Sequence, residues 1–175
     1  MDERLRKEMY ERREAYAARL HRENKEIGME NGLSEDQCDA LEWLAGIRHK
    51  IHTYDTDRAY NIEAGDNSFI QSLFDSTYGG ETIDETLDAV CLPLLPESAA
   101  ECADRMSDYT SFEWDEIMTE DEKSAYEDEE AFREECLTKL EDLKDEINRA
   151  IESYLEEIDK KYKTNYAPTG MTRLY

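Results

Sequence analysis

The sequence lacks the long apolar segments that membrane proteins and secreted precursors carry. No run of 18 apolar residues occurs, and the N-terminal sequence Met1-Asp2-Glu3-Arg4 is charged. These absences predict neither a membrane span nor a signal peptide. We therefore expect a cytoplasmic protein that has no membrane partner.

The sequence also lacks the usual signatures of cofactor and metal sites. The cysteines at positions 38, 91, 102 and 136 form no C-x-x-C pair, which predicts free thiols in a reducing compartment. No phosphate loop, dinucleotide fingerprint or G-x-S-x-G motif occurs. Asp55-Thr56-Asp57 begins like a calcium loop but has no Gly at the sixth place. We predict no cofactor and no bound metal.

Basic residues are scarce in the middle of the chain. Residues 51–135 hold 25 acidic and only four basic residues, whereas the remaining ends are close to charge balance. The formal net charge of the whole chain is −24. This charge argues against direct nucleic-acid binding as the main activity, because phosphates attract Lys and Arg. A basic protein is the expected partner.

The acidic middle allows two interpretations. It is either an ordinary solvated surface or an imitation of a nucleic-acid backbone, which carries one charge per roughly 1.7 Å of duplex axis. Aromatic residues are interleaved with the acids, so the region can fold and fix its carboxylates in place. A basic groove built for DNA would attract such a surface. The candidate docking residues are Asp108, Tyr109, Glu113, Trp114, Asp115 and Glu116.

The first 53 residues have the periodicity of two helices. Apolar residues at helical spacing predict one helix over residues 2–27, with Gly28 and Asn31-Gly32 as its end signals, and a second over residues 35–53. Ser34 and Gln37 have the spacing of a capping box at the start of the second helix. The short glycine-containing link between the two predicts a helical hairpin.

Residues 54–128 carry different signals. Gly79-Gly80 stands between the segments 68–78 and 81–95, which we predict as the strands of a hairpin, with helix as an alternative for the first. A short helix over residues 98–108 follows, and another begins at the capping-box sequence that starts with Thr119. This segment is predicted to be an acidic, mixed α/β insertion.

The longest periodic segment predicts a C-terminal helix over residues 129–162. Its apolar stripe consists of Phe132, Cys136, Leu140, Leu143, Ile147, Ile151, Tyr154 and Ile158. The stripe fits packing against the N-terminal helices and also fits a coiled-coil seam, so we expect a monomer or a weak dimer.

These elements together predict a single α+β domain over residues 1–175. A helical hairpin (1–53) and a long helix with an irregular tail (129–175) form a bundle, and the acidic insertion (54–128) lies between them in the sequence.

The densest group of reactive side chains lies near the end of the second predicted helix. It contains Arg48, His49, Lys50 and His52. On a helix, residues at i,i+3 are neighbours, so His49 and His52 could act as general base and general acid. Arg48 or Lys50 would stabilise the charge of a phosphorane, as in a metal-free ribonuclease that uses the RNA 2′-hydroxyl as nucleophile. The same residues also fit a basic helix C-terminus that complements the helix dipole.

Both ends of the chain resemble a known family of inhibitors. Residues 33–41 (LSEDQCDAL), Leu44 and residues 48–52 (RHKIH) lie in the first matching segment, residues 9–52. The second covers residues 158–174 and includes Ile158-Asp159, Thr164, Tyr166, Pro168-Thr169-Gly170 and Arg173-Leu174. These segments closely resemble the type V-A anti-CRISPR family, whose members cleave the guide RNA of the single-protein type V-A CRISPR nuclease. The acidic middle is not covered.

The resemblance implies a phage or mobile-element protein that acts in the cytoplasm of the infected bacterial cell. Such a protein imitates PAM duplex DNA, docks on the basic PAM-reading groove of a CRISPR effector nuclease with its guide RNA, and acts as an endoribonuclease on that guide. It does not bind DNA directly. His49, His52, Arg48 and Lys50 would then be catalytic, and Tyr166 and Arg173 would contact RNA or pack against the helix that carries them.

The chain departs from the family at Cys38 and carries extra residues before Met9, and two rival functions stay open. The family has His where this chain has Cys38. The alternative function is a stoichiometric DNA-mimic decoy, which occupies a CRISPR or restriction nuclease and cuts nothing. A third is a dimeric adaptor that pairs through the last helix.

Overall fold

The computed structural model describes residues 2–56, 68–109 and 114–167. Three long helices dominate them: α1 (Glu3–Glu30), α2 (Glu35–His52) and α8 (Glu129–Tyr162). The described residues between them form five short helices: α3 (Ser68–Ser72), α4 (Ile83–Ala89), α5 (Glu97–Arg105), α6 (Trp114–Ile117) and α7 (Glu120–Ser124). Single 3-10 turns follow α3 and α5, at Ser76–Tyr78 and Met106–Tyr109.

The prediction of an α+β fold with a mixed α/β insertion is wrong, because the described residues contain no strand. Gly79 and Gly80 have positive φ angles of 87° and 81°, but they link a 3-10 turn to α4 instead of closing a hairpin. The buried residues that follow the two glycines explain this. Ile83 and Leu87 are both fully buried, and a four-residue step places two side chains on one face of a helix.

The chain divides into two compact units. Unit 1 comprises Met1–Lys50, Glu85–Leu94 and Ile151–Tyr175, and unit 2 comprises Ile51–Asp84 and Leu95–Ala150. The helices α2 and α8 each contribute residues to both units.

The predicted helices at the two ends of the chain are confirmed. Ser34 Oγ accepts a hydrogen bond from Gln37 N at 3.1 Å, and Gln37 Oε1 accepts one from Ser34 N at 2.9 Å, so the predicted capping box is present. The helix α1 continues past Gly28 to Glu30, and Asn31, the second predicted end signal, is its C-cap. Gly28 is instead a point of close packing, where a Cβ atom would lie 3.0 Å from the Sγ of Cys38.

The core of unit 1 forms from α2, α4 and the C-terminal part of α8. Its buried side chains include Leu41, Leu44, Ile47, Leu87, Ile151, Leu155 and Ile158. Two hydrogen bonds fasten the segment after α4: Tyr154 donates its hydroxyl to the carbonyl of Pro93 at 2.7 Å, and Gln37 Nε2 donates to the carbonyl of Val90 at 2.9 Å.

The core of unit 2 forms around the N-terminal part of α8. Its buried side chains include Ile51, Ile70, Leu73, Ile83, Leu95, Ala103, Met106, Cys136, Leu140, Leu143 and Ile147. The stripe of α8 is therefore occupied by contacts within the chain and is not open as a coiled-coil seam. In the part of the chain that the structure describes, no helix has the length and apolar character needed to span a membrane.

Candidate functional site

The predicted catalytic residues lie in the last two turns of α2. His49 is half-buried and His52 is exposed, so both imidazoles are accessible to a ligand. Their Cβ atoms are one helical turn apart, about 5–6 Å. This spacing suits a base and an acid that act on opposite sides of one phosphate.

The helix separates the two cations of this cluster. At about 100° per residue, positions 48 and 50 lie on nearly opposite sides of α2. Arg48 pairs with Glu152 of α8, with 3.3 Å between Nη2 and Oε2. Lys50 instead faces α1 and lines a pocket there. A phosphate beside His52 would therefore lie on the Arg48 side of the helix.

A buried lysine of α8 holds the end of α2. Lys144 Nζ lies 3.4 Å from the carbonyl oxygens of both His52 and Tyr54, and it pairs with Glu141 at 2.8 Å. A cation that binds the last carbonyls of a helix complements its dipole. Lys144 therefore fixes the helical turn that carries His52.

The helices α1 and α2 line an open pocket of about 430 Å³. Its lining residues are His21, Asp39, Glu42, Trp43, Gly46, Ile47 and Lys50. His21 stands between two carboxylates, with Nδ1 3.4 Å from Glu42 Oε2 and Nε2 3.7 Å from Asp39 Oδ1. Lys25 donates to Asp39 at 3.1 Å and pairs with Glu35 at 3.0 Å, and these hydrogen bonds raise the pKa of Lys25. The pocket combines an aromatic wall with groups of both charges.

Of the residues that line this pocket, only Lys50 was predicted as a site residue. The spacing on α2 indicates a shared face, because Asp39, Trp43, Gly46 and Lys50 recur at steps of four, three and four. His21 comes from α1, and its place depends on how the two helices pack side by side.

Cys38 lies in the core. The side chain of Cys38 is fully buried, and Sγ lies 3.9 Å from the carbonyl of Lys25. Burial raises the pKa of the Cys38 thiol, and a hydrogen bond with Tyr166 partly offsets that shift. A residue so placed packs α1 against α2 and does not touch a bound macromolecule.

The residues after α8 are held by Asp159 and Asn24. Asp159 accepts hydrogen bonds from Thr164 Oγ1 and from the backbone N–H groups of Tyr166 and Ala167, at 2.8, 2.8 and 2.9 Å. Asn24 of α1 forms two further hydrogen bonds with the backbone of Asn165. The side chain of Tyr166 is fully buried, so this candidate packs in the core and offers no surface to RNA. Arg173 lies outside the described residues.

The candidate docking residues surround the short helix α6. Asp115 and Glu116 are exposed on it, whereas Trp114 is half-buried. Trp114 lies against Phe132 and Tyr126, with ring centroids 5.3 and 6.2 Å apart. Asp108 is exposed and Tyr109 half-buried in the preceding 3-10 turn, and Glu113 lies outside the described residues. The aromatic cluster fixes the backbone that presents the carboxylates of α6.

The next helix presents further acids. The predicted capping box of Thr119 and Glu122 is present at the start of α7. Lys123 of this helix pairs with both Asp115 and Glu120, at 3.2 and 3.8 Å, although the carboxylate side chains are 91% and 93% exposed. One lysine is thus shared by two exposed acids.

Comparison of the chain with protein-family models, with curated proteins and with solved structures found no match. Among residues 2–56, 68–109 and 114–167, no group of three or more His, Cys, Asp and Glu side chains is arranged to hold a metal ion.

Proposed function

We propose that this protein is an anti-CRISPR inhibitor that imitates PAM duplex DNA and inactivates the nuclease by cleaving its guide RNA. The observation that carries the proposal is the uneven charge of the two units. Unit 2 contains 27 acidic and seven basic residues, a net charge of −20, whereas unit 1 contains 18 acidic and 14 basic residues, a net charge of −4.

The charge of unit 2 supports docking on a basic groove. Its carboxylates are presented from short helices that an aromatic cluster and a capping box hold in place. Charges fixed in this way complement a positive surface without being ordered first, and long-range attraction raises the rate of association. The PAM-reading groove of a CRISPR nuclease is a surface of this kind, because it is built to bind a duplex.

The end of α2 supports cleavage of the guide. One imidazole removes the proton of a 2′-hydroxyl, whose oxygen attacks the adjacent phosphorus, and the other imidazole protonates the departing 5′-oxygen. The products are a 2′,3′-cyclic phosphate and a free 5′-hydroxyl, so no metal ion or other reactant is required. General acid–base catalysis of this type contributes about 10²–10⁴-fold to a rate.

The pairing of Arg48 favours a second candidate function. Glu152 lies 3.3 Å from Arg48 and competes with any phosphate for this guanidinium. A protein whose arginine has only this structural role would be a stoichiometric decoy that occupies the groove and leaves the guide intact.

The test is a substoichiometric incubation with a guide-loaded type V-A nuclease, followed by sizing of the RNA on a denaturing gel. We expect more shortened guide than added protein. His49→Ala and His52→Ala should each slow shortening by about 10²–10⁴-fold while the protein still co-migrates with the nuclease. Intact guide, with activity lost only at equal stoichiometry, would instead establish the decoy.

The docking surface has its own test. Asp115→Asn combined with Glu116→Asn should weaken binding to the nuclease, chiefly through a slower association rate. Asp142→Asn combined with Asp145→Asn removes the same charge from exposed positions of unit 2 on α8 and is the matched control. Equal weakening by both pairs would show that net charge acts, and not the surface around α6.

A further inference from the structure

The first part of α1 differs in charge from the rest of the chain. Residues 3–22 contain seven basic and four acidic residues, a net charge of +3 in a chain of net charge −24. No side chain between residues 3 and 22 is buried, and the first buried residue of α1 is Asn24. We call residues 3–22 the basic arm. Because exposed charges are screened beyond about 8 Å at physiological ionic strength, the local charge of the arm governs what it attracts.

Several arginines of the arm have no acidic partner among the described residues. Arg4, Lys7 and Arg19 form ion pairs with the glutamates four residues later. Arg6, Arg12, Arg13 and Arg22 form no ion pair with any residue that the structure describes. Unpaired arginines in a chain with twice as many acids as bases indicate a ligand that is itself anionic.

The unpaired arginines alternate with exposed tyrosines. Arg6, Tyr10, Arg13 and Tyr16 follow one another at steps of four, three and three, so they form one stripe along the helix. Tyr10 is 63% and Tyr16 37% exposed. The guanidinium of Arg19 lies over the ring of Tyr16 at 5.1 Å, which leaves the Tyr10 ring as the more open of the two. Arginines that bind phosphates and aromatic rings that stack on bases are the usual elements of single-strand recognition.

The arm leads to the pocket between α1 and α2. It ends at His21 and Arg22, and His21 lines this pocket together with Lys50 of α2. A strand that follows the arm therefore reaches the side of α2 that carries Lys50.

We propose that the stripe Arg6–Tyr10–Arg13–Tyr16 binds single-stranded RNA, with the arginines on phosphates and the tyrosines on bases. The identity of the biological ligand, the guide RNA, rests on the proposed function. The binding of single-stranded RNA by these four side chains does not. An acidic peptide would satisfy the arginines and make no use of the alternating rings. The negative charge of unit 2 serves a basic protein, and the arm serves the RNA that this protein carries.

The experiment measures binding of the full chain to a fluorescein-labelled single-stranded oligoribonucleotide across a series of salt concentrations. Arg6→Gln combined with Arg13→Gln should weaken binding and reduce the salt slope by about 1.4, because each single-strand phosphate contact contributes about 0.7. Tyr10→Ala should weaken binding roughly 5- to 100-fold without changing the slope, since base stacking does not release ions. All three side chains are exposed, so the variants should fold.

The matched control is Lys160→Gln combined with Lys161→Gln, which removes two exposed cations from α8 in the same unit. If this pair weakens binding as much as the arginine pair, or if the unchanged chain does not bind the oligonucleotide, the stripe is not an RNA site. The guide-shortening assay separates the two proposals. RNA binding through the stripe without guide shortening would overturn the proposed function alone. Normal shortening by the arginine variant, with unchanged RNA affinity, would overturn the stripe alone.

Discussion

Units 1 and 2 are of similar size but differ in how they neutralise charge. Unit 1 places its charges in pairs, such as Lys25 with Asp39 and Arg48 with Glu152, and it contains the pocket, the imidazole of His49 and the basic arm. Unit 2 has nearly four acids for each base, and Lys123 is shared between two of them. Self-repulsion of this kind lowers the stability of a free domain. A ligand of opposite charge would therefore stabilise unit 2 more than unit 1.

The largest predicted effect tests whether the units are energetically distinct. Ile147 and Ile151 are both fully buried, stand one turn apart on α8, and belong to different units. Either substitution by Ala should lower the free energy of unfolding by about 2–5 kcal/mol, because it leaves a cavity. Hydrogen exchange should accelerate mainly in unit 2 for Ile147→Ala and mainly in unit 1 for Ile151→Ala. The same exchange pattern in both variants would mean that the chain unfolds as one body.

A smaller effect is expected in unit 1 alone. Asp159→Ala removes the acceptor of three hydrogen bonds and should cost about 2–3 kcal/mol, since hydrogen bonds to a charged group are among the stronger ones. Cys38 should then react faster with a thiol reagent, because Tyr166 no longer covers it. Asp142→Ala, at an exposed position of unit 2, is the control. Unchanged reactivity of Cys38 would show that Asp159 does not hold the tail.

The smallest effect concerns pH and belongs to unit 2. The thiol of Cys102 donates to Glu146 at 2.9 Å, and burial, followed by this hydrogen bond, raises its pKa from 9.0 to about 11. Because the thiol ionises less readily in the folded state, its contribution to stability is fully present below pH 9. That contribution is lost as the pH rises from about 9 to about 11. Cys102→Ala should therefore flatten the fall in stability over this range. Cys91→Ala, which removes an exposed thiol, is the control, and an identical effect of both variants would contradict this assignment.

The sequence predicted the parts of the fold that depend on neighbours along the chain. The bounds of α8, the capping boxes of Ser34 and Thr119, and the position of α2 all follow from short-range spacing, and the structure confirms them. The predicted strands were wrong because Gly79-Gly80 permits several turns. What decided between them was burial of Ile70, Leu73, Ile83 and Leu87, which depends on contacts far apart in the sequence.

The candidate site was predictable to the same extent. Placing Arg48, His49 and His52 on one helix required only periodicity. The separation of Lys50 from Arg48 also follows from the helical angle. The neighbours of these two side chains were not predictable, because Glu152 beside Arg48 and His21 beside Lys50 come from helices more than 25 residues away in the sequence. The basic arm was not predicted, because the net charge of −24 is a sum over the whole chain and does not show a local excess of positive charge.

Gly28 has a consequence for how the sequence can vary under selection. The absence of a side chain leaves a space that Leu33, Cys38 and Thr164 approach within 3.0–3.4 Å of a would-be Cβ atom. The space of one methyl group is thus bounded by the α1–α2 link, by α2 and by the segment after α8. A change to alanine would require one of these neighbours to shift by a few tenths of an ångström, so lineages that lose this glycine should more often carry a smaller residue at position 33, 38 or 164.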